Sequence, residues 1–282
     1  MAKETQKNKI NNKQRDSEVI KIVDDMTLFD DELMSKVFDK NIEATELLLR
    51  IILERDDIKV IKVKGQVEMK SPYPKGRNIR LDIHAVDGNG VEFDVEVQRN
   101  VRGSHIRRAR FNGSMMDARM LKEKQVFKEL KDSYVIFICQ HDKFKQNKPI
   151  YHVDKIVRET GEIFADGAHI IYVNGKYRGD DAFGKLAHDF NCKKSKNMYY
   201  KPFADGVRHF KETEKGREIM CESVERYAEK KSKKSAETSR INTLVNNVRL
   251  MMKNMKCSLE DALNTLEISG NERTLITKQI QK

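Results

Sequence analysis

Residues 78–100, NIRLDIHAVDGNGVEFDVEVQRN, decide the fold. Two runs of alternating apolar and polar residues, 79–86 and 91–98, flank Asp87-Gly88-Asn89-Gly90. Alternation with period two is the pattern of a strand with one face toward a core. The tetrapeptide is rich in residues that tolerate positive φ, which signals a hairpin turn. In the second run Val91, Phe93, Val95 and Val97 share one face, and Glu92, Asp94, Glu96 and Gln98 share the other. In the first run Arg80, Asp82 and His84 oppose Leu81, Ile83 and Ala85. If both apolar faces meet one core, Asp82 lies on the side of Glu96. A three-residue turn at Gly88–Gly90 then sets the two acids directly across the ladder, with Cβ atoms about 4.5–5.5 Å apart.

Carboxylates that close repel each other unless a cation neutralises them. Mg²⁺ suits the place, because it accepts one or two carboxylates and fills its remaining positions with water and phosphate oxygens. Such an ion acidifies an attacking water and stabilises charge on a phosphodiester. Gln98, two residues beyond Glu96, presents its amide on the same side, where it can orient water or donate to a phosphoryl oxygen. The opposing reading is a solvent-exposed acidic strand face, and Glu92 and Asp94 are what that reading expects.

The flanking sequence sets the hairpin in a larger sheet. SYVIFICQ (133–140) is a nearly continuous apolar run, the pattern of a strand covered on both faces, and HIIYVNG (169–175) reads as another strand. Between hairpin and apolar strand, residues 103–123 form a helix rich in arginine and methionine. Its Arg107, Arg108 and Arg110 can offer guanidinium groups to a phosphate backbone, or line a solvated face; Met115 and Met116 belong to its core side. Upstream, residues 31–54 read as one helix, 58–70 as a strand, and SPYPKGRN as a loop. Strand, hairpin, helix, strand means an α/β fold with a mixed central sheet flanked by helices.

The ends differ from this centre. Residues 1–18 are rich in Lys, Asn and Gln and read as a disordered basic tail. Residues 19–204 form the main domain and 205–282 a helical C-terminal region. Within it Ile241, Leu244, Val245, Val248, Met251, Met252 and Met255 make a stripe at three-and-four spacing. This stripe serves packing within the chain or a homo-oligomer. Ser258 with Asp261, and Ser269 with Glu272, mark two further helix starts.

The chain has 282 residues, 55 Lys and Arg against 44 Asp and Glu, and a net charge of +11. That balance permits binding to a polyanion such as DNA. No apolar run approaches a membrane span, and the first residues hold no secretory h-region, so a cytoplasmic protein with no membrane partner is expected. Cys139, Cys192, Cys221 and Cys257 are too scattered for a zinc site or a disulfide framework. His188-Asp189 has the order seen in metal-dependent phosphohydrolases, but no further ligand set accompanies it, which leaves a structural role; His84 can line the Asp82 side or hydrogen-bond locally.

Asp82, a hairpin and Glu96-Val97-Gln98 together resemble the PD-(D/E)xK nuclease superfamily, whose motif ordinarily ends in Lys. The Glu-x-Gln ending is similar to the recombination-promoting nuclease (Rpn-type) family, also called PD-(D/E)xK family transposases. The segments DDELMSKVF (30–38), ELLLRIIL (46–53), RLDIHAVDGNG (80–90), RARFNGSMMDARML (108–121), SYVIFI (133–138), and HIIYVNGKY with GKLAHDF (169–190) are similar as well. The resemblance covers roughly residues 24–230, and order and spacing make it specific. It implies a restriction-endonuclease-like fold and DNA endonuclease activity with Mg²⁺ (or Mn²⁺), tied to recombination or mobile elements. Carried over residue by residue, Asp82 and Glu96 are the metal ligands, Gln98 stands where Lys is usual, and Glu46 is the first-helix acid, with Asp31 as its competitor. Gln98 brings no positive charge, so either another cation substitutes or the fold holds DNA or a protein partner without efficient cutting.

Overall fold

The computed structural model describes residues 17–281. The tail expected over 1–18 lies, apart from its last two residues, outside them. The chain divides into two compact units, Met1–Glu222 and Ser223–Lys282. Among the described residues no helix is long and apolar enough to cross a membrane.

In the first unit, helix α1 covers residues 17–25. Helices α2 (Asp31–Phe38) and α3 (Ile42–Leu53) follow. A single helix was expected over 31–54, but the chain breaks at Lys40, which has φ 58°. Asn41 then caps α3, its side chain accepting from Ala44 N at 3.1 Å. Apolar periodicity runs on across such a break, so the cap rather than the stripe marks the boundary.

Strands β1 (Val60–Met69), β2 (Ile79–Asp87), β3 (Glu92–Gln98), β4 (Ser133–Cys139), β5 (Ile150–Val153) and β6 (Ala168–Asn174) form one six-stranded sheet in the order β1-β2-β3-β4-β6-β5. β1, β2 and β3 are antiparallel neighbours, β3, β4 and β6 run parallel, and β5 returns antiparallel to β6. The sheet is therefore mixed, as the order of elements implies. β5 has no counterpart among the strands read from sequence; at four residues it is too short to show a period.

Helix α4 (Ile106–Met120) fills the crossover from β3 to β4 and lies on one face of the sheet. Its Ala109, Met115 and Met116 join Leu81, Val135 and Phe137 in one apolar cluster. Helices α2, α3, α5 (Ala182–Asn191) and α6 (Lys201–Glu212) gather on the other side, where Phe38 stacks on Phe190 and also meets Phe203. The sheet is thus covered on both faces, which is why β4 is apolar without alternation.

Helix α7 (Glu214–Met255) enters the second unit, followed there by α8 (Leu259–Thr265) and α9 (Gly270–Ile280). Ile241, Val245 and Val248 pack with Ala262, Leu263, Ile268 and Ile276. Of the two uses expected for this stripe, the one seen is packing within the chain. Ser258 and Asp261 form a reciprocal capping box at α8. Ser269 is the N-cap of α9 but makes no side-chain cap bond.

Candidate active site

The hairpin turn is held by Asp87, whose Oδ1 accepts from Asn89 N at 2.8 Å and Val91 N at 2.9 Å. Gly90, at φ 81°, supplies the left-handed residue that closes the three-residue turn. The resulting register pairs Val86 with Glu92 and Ile83 with Val95. Continued by one residue, it brings Asp82 to Glu96, and there the regular ladder stops. The Asp82 carboxylate takes the place of a ladder carbonyl, its Oδ2 accepting from Val97 N at 3.1 Å. On the far side, Gln66 of β1 lies between the pairs Gly65–Ile83 and Val67–Leu81 and has φ 51°. The strict alternation read from β2 is therefore interrupted at Asp82: Leu81, expected opposite the acids, belongs to the cluster that α4 covers.

The acidic face of β3 is not a solvent face. Asp94 and Glu96 are 0% exposed and Asp82 is 6% exposed. Only Glu92, beside the turn, is partly open, and it pairs with His84 Nε2 at 2.9 Å. Burial follows from α4, which lays a polar strip across the acids. Arg108 and Asn112 are one turn apart and so share a side of the helix. Asn112 Nδ2 donates to Asp94 Oδ2 at 2.9 Å and to Glu96 Oε1 at 3.1 Å. Arg108 Nη2 is hydrogen-bonded and ion-paired to Glu96 Oε2. Gln98 Nε2 bridges the two predicted ligands, donating to Glu96 Oε2 at 3.1 Å and to Asp82 Oδ2 at 3.4 Å. Gly103 makes room for that amide, since a Cβ there would collide with Gln98 Oε1.

Three carboxylates in so dry a place resist ionisation. Burial, reinforced by the charge of Asp31, raises Asp82 from 3.8 to about 6. Burial raises Asp94 to about 8, with Asp82 adding to it and the Asn112 hydrogen bond opposing it. Burial, then Asp94 and Asp82, hold Glu96 well above the usual carboxylate range, against the pull of Arg108.

Asp82 borders a cleft of about 1520 Å³, whose lining also includes Asp31, Gln98, Arg108 and Asn112. Arg107 and Arg110 line it from α4, Arg99 and Arg102 from the loop after β3, Arg77 from the loop before β2 and Arg80 from β2 itself. Glu46 does not join them. It sits on α3, ion-paired with Arg50 at 2.7 Å and accepting from Val60 N at 2.9 Å. Asp31, the competing acid, is the one that reaches the cleft, because the break at Lys40 separates the helix that carries it from the helix that carries Glu46.

No local feature of the sequence marks Asp94 or Asn112 as part of the centre. The available signal was the apolar run of β4, which implies a sheet covered on both sides and hence a buried acid row. His188 is structural, 3.1 Å from Asp189 Oδ1, while Asp189 accepts from Tyr199 N and Tyr200 N, each at 2.8 Å. Among the described residues no disulfide joins the cysteines. Among the described residues no three His, Cys, Asp or Glu side chains already converge as a metal cage. Two buried carboxylates on parting strands beside an open cleft nevertheless suit a hard divalent ion that keeps water and substrate oxygens in its other positions.

Comparison with family sequence models matches the family described as PD-(D/E)XK nuclease family transposase, over residues 29–177. Comparison with curated proteins and with solved structures finds none.

Proposed function

Since the chain belongs to the PD-(D/E)XK nuclease family transposases, a family whose model covers more than half of it, we propose that it is a metal-dependent DNA endonuclease, acting in the cytoplasm on recombining or mobile DNA. The observation that carries this reading is the burial of Asp82, Asp94 and Glu96 together, with Asp82 lining an arginine-rich cleft and the other two buried behind it. Nothing in packing favours three adjacent buried acids, and such a cluster costs stability unless a cation or a proton offsets it.

Asp82 and Glu96 would hold Mg²⁺ or Mn²⁺, with Asp31 facing the same cleft and Glu46 remaining a structural residue of α3. The ion, when bound, supplies Lewis-acid polarisation of the phosphodiester and a more acidic water. The chain's own groups do the rest. Asn112 fixes Asp94 and Glu96 relative to each other, and Gln98 holds the Asp82 and Glu96 carboxylates together. Arg107, Arg108 and Arg110 meet the phosphate backbone from α4, with Arg77, Arg80 and Arg102 offering further guanidinium groups along the cleft. In hydrolysis the water oxygen bonds to phosphorus and one ester P–O bond breaks. The departing sugar oxygen takes a proton, and a phosphate monoester remains.

The test is nicking of supercoiled plasmid with Mg²⁺ or Mn²⁺ by wild type, Asp82→Ala and Glu96→Ala. Cleavage by wild type that both variants lose is expected. Equal nicking by all three would place the active site elsewhere, and tight DNA binding without any cleavage would make the protein a binding module.

A further inference from the structure

The nuclease motif that this chain resembles ends in a positive charge, and here that position is Gln98, whose amide is engaged by both acids. One cation stands inside the acidic centre instead. Arg108 opposes the raised affinity for protons of Asp31, Asp82, Asp94 and Glu96 alike. The guanidinium is held in three ways. Nη2 bonds Glu96 Oε2, Nη1 donates to Gly103 O at 3.1 Å, and its carbon lies 5.8 Å from the centre of the Phe137 ring. Its side chain is 33% exposed while that of Glu96 is 0% exposed, so the arginine reaches from the cleft down to a buried acid.

Resting on the nuclease reading, we propose that Arg108 is an exchangeable counter-ion: it neutralises Glu96 until a divalent cation takes that carboxylate, and it then turns its freed N–H groups to the phosphodiester being cut. Glu96 Oε1 accepts one hydrogen bond, from Asn112, whereas both acceptor sites of Oε2 are taken, by Gln98 and Arg108. A divalent ion shared with Asp82 would meet Glu96 at Oε2, the oxygen that Gln98 links to Asp82 Oδ2, and there it must displace a donor; the charged one is repelled by the ion as well. The displaced guanidinium does not leave the site, because the Gly103 carbonyl and the Phe137 face still hold it. A guanidinium has five donors in a planar fork, so Nη2 becomes free for a phosphoryl oxygen while Nη1 stays anchored. Charge that develops on that oxygen during cleavage then meets a positioned cation.

This exchange makes two quantities move in opposite directions when Arg108 is removed. Metal affinity rises because a competitor is gone, and the chemical step slows because the phosphate loses its cation. A residue that merely supports the fold would lower both. The experiment uses the full chain as wild type, Arg108→Ala and Arg108→Lys. Mn²⁺ affinity is measured by calorimetry without DNA, folding by thermal melting, and single-turnover cleavage at saturating plasmid. Arg108→Ala is expected to bind Mn²⁺ about tenfold tighter, since a competing charged hydrogen bond of about 1.5 kcal/mol is gone, and to cut about 10²–10³-fold slower. Arg108→Lys, which keeps the charge without the fork, is expected to fall between the two on both measures. A folded Arg108→Ala that binds Mn²⁺ no tighter than wild type, or cuts as fast at saturation, overturns the proposal. If Arg108→Ala does not fold, Arg108→Lys decides: unchanged affinity and rate overturn the exchange. A wild type that cuts no DNA defeats the nuclease reading itself, whereas cutting by wild type that is unaffected by Arg108→Ala defeats only the exchange.

Discussion

In the second unit, Ile241, Val245 and Val248 are buried against Ala262, Leu263 and Ile276, while Lys230, Lys231, Lys233 and Lys234 along the same helix face solvent. In the β2–β3 hairpin the alternation is just as regular, yet both sides of β3 are buried, Phe93, Val95 and Val97 on one and Asp94 and Glu96 on the other. The first pattern sorts residues by polarity and leaves nothing over. The second encloses charge, which is costly, and encloses it beside a cleft. The contrast separates a region whose burial stabilises the fold from one whose burial costs stability.

Substitutions on the two sides of this contrast should have opposite signatures. Asp82→Asn is expected to cost about a thousandfold in cleavage, the equivalent of about 4 kcal/mol of lost charge stabilisation. Its melting temperature should be no lower than that of wild type, because one of three crowded acids has been neutralised. A large fall in melting temperature would return Asp82 to the structural class. Ile276→Ala, at a fully buried position of the second unit, should do the reverse. It is expected to destabilise that unit by about 2–5 kcal/mol, read by denaturant unfolding, and to leave the cleavage rate as it is.

A pH series sharpens the contrast further. Asp94 moves from 3.8 in the unfolded chain to about 8 in the fold through burial, and Asp82 to about 6. The folded state therefore binds these protons more tightly than the unfolded chain does. Their contribution to stability is complete below about pH 3.8 and is lost as pH rises through about 6 and about 8. In the presence of a chelator, wild-type melting temperature should fall across that window, and Asp94→Asn should flatten the upper part of the fall. An identical slope in the variant would mean that Asp94 does not hold a proton in the fold. The smallest effect belongs to the solvent side of α7: Lys233→Ala should change stability by less than about 0.5 kcal/mol, and a larger loss would show that this face is not simply solvated.

Much of the hairpin was legible in sequence because its signals are local. The turn residues set the register, and the register set Asp82 beside Glu96. The parts that were not legible depend on contacts distant in the chain. Asp94 looked like a surface acid because the covering Asn112 comes 18 residues later on another element. The break at Lys40, hidden under a continuous apolar stripe, decides that Asp31 rather than Glu46 reaches the cleft. The interrupted alternation at Asp82 arises where β2 and β3 part and β1 kinks at Gln66, and no residue in β2 announces it. The mixed sheet, by contrast, followed from the order of elements and the apolar β4 alone.

The central claim is that the buried acids of the hairpin form a cation site. Its most direct test is the shift in melting temperature on adding Mn²⁺ near pH 8, where competition from protons is least, to wild type and to Glu96→Gln. A ligand that binds only the folded state stabilises it by about 2.7 kcal/mol at a hundred times its dissociation constant. A saturable rise is expected for wild type and little or none for Glu96→Gln. An equal rise in both proteins, or no rise in wild type, would contradict it.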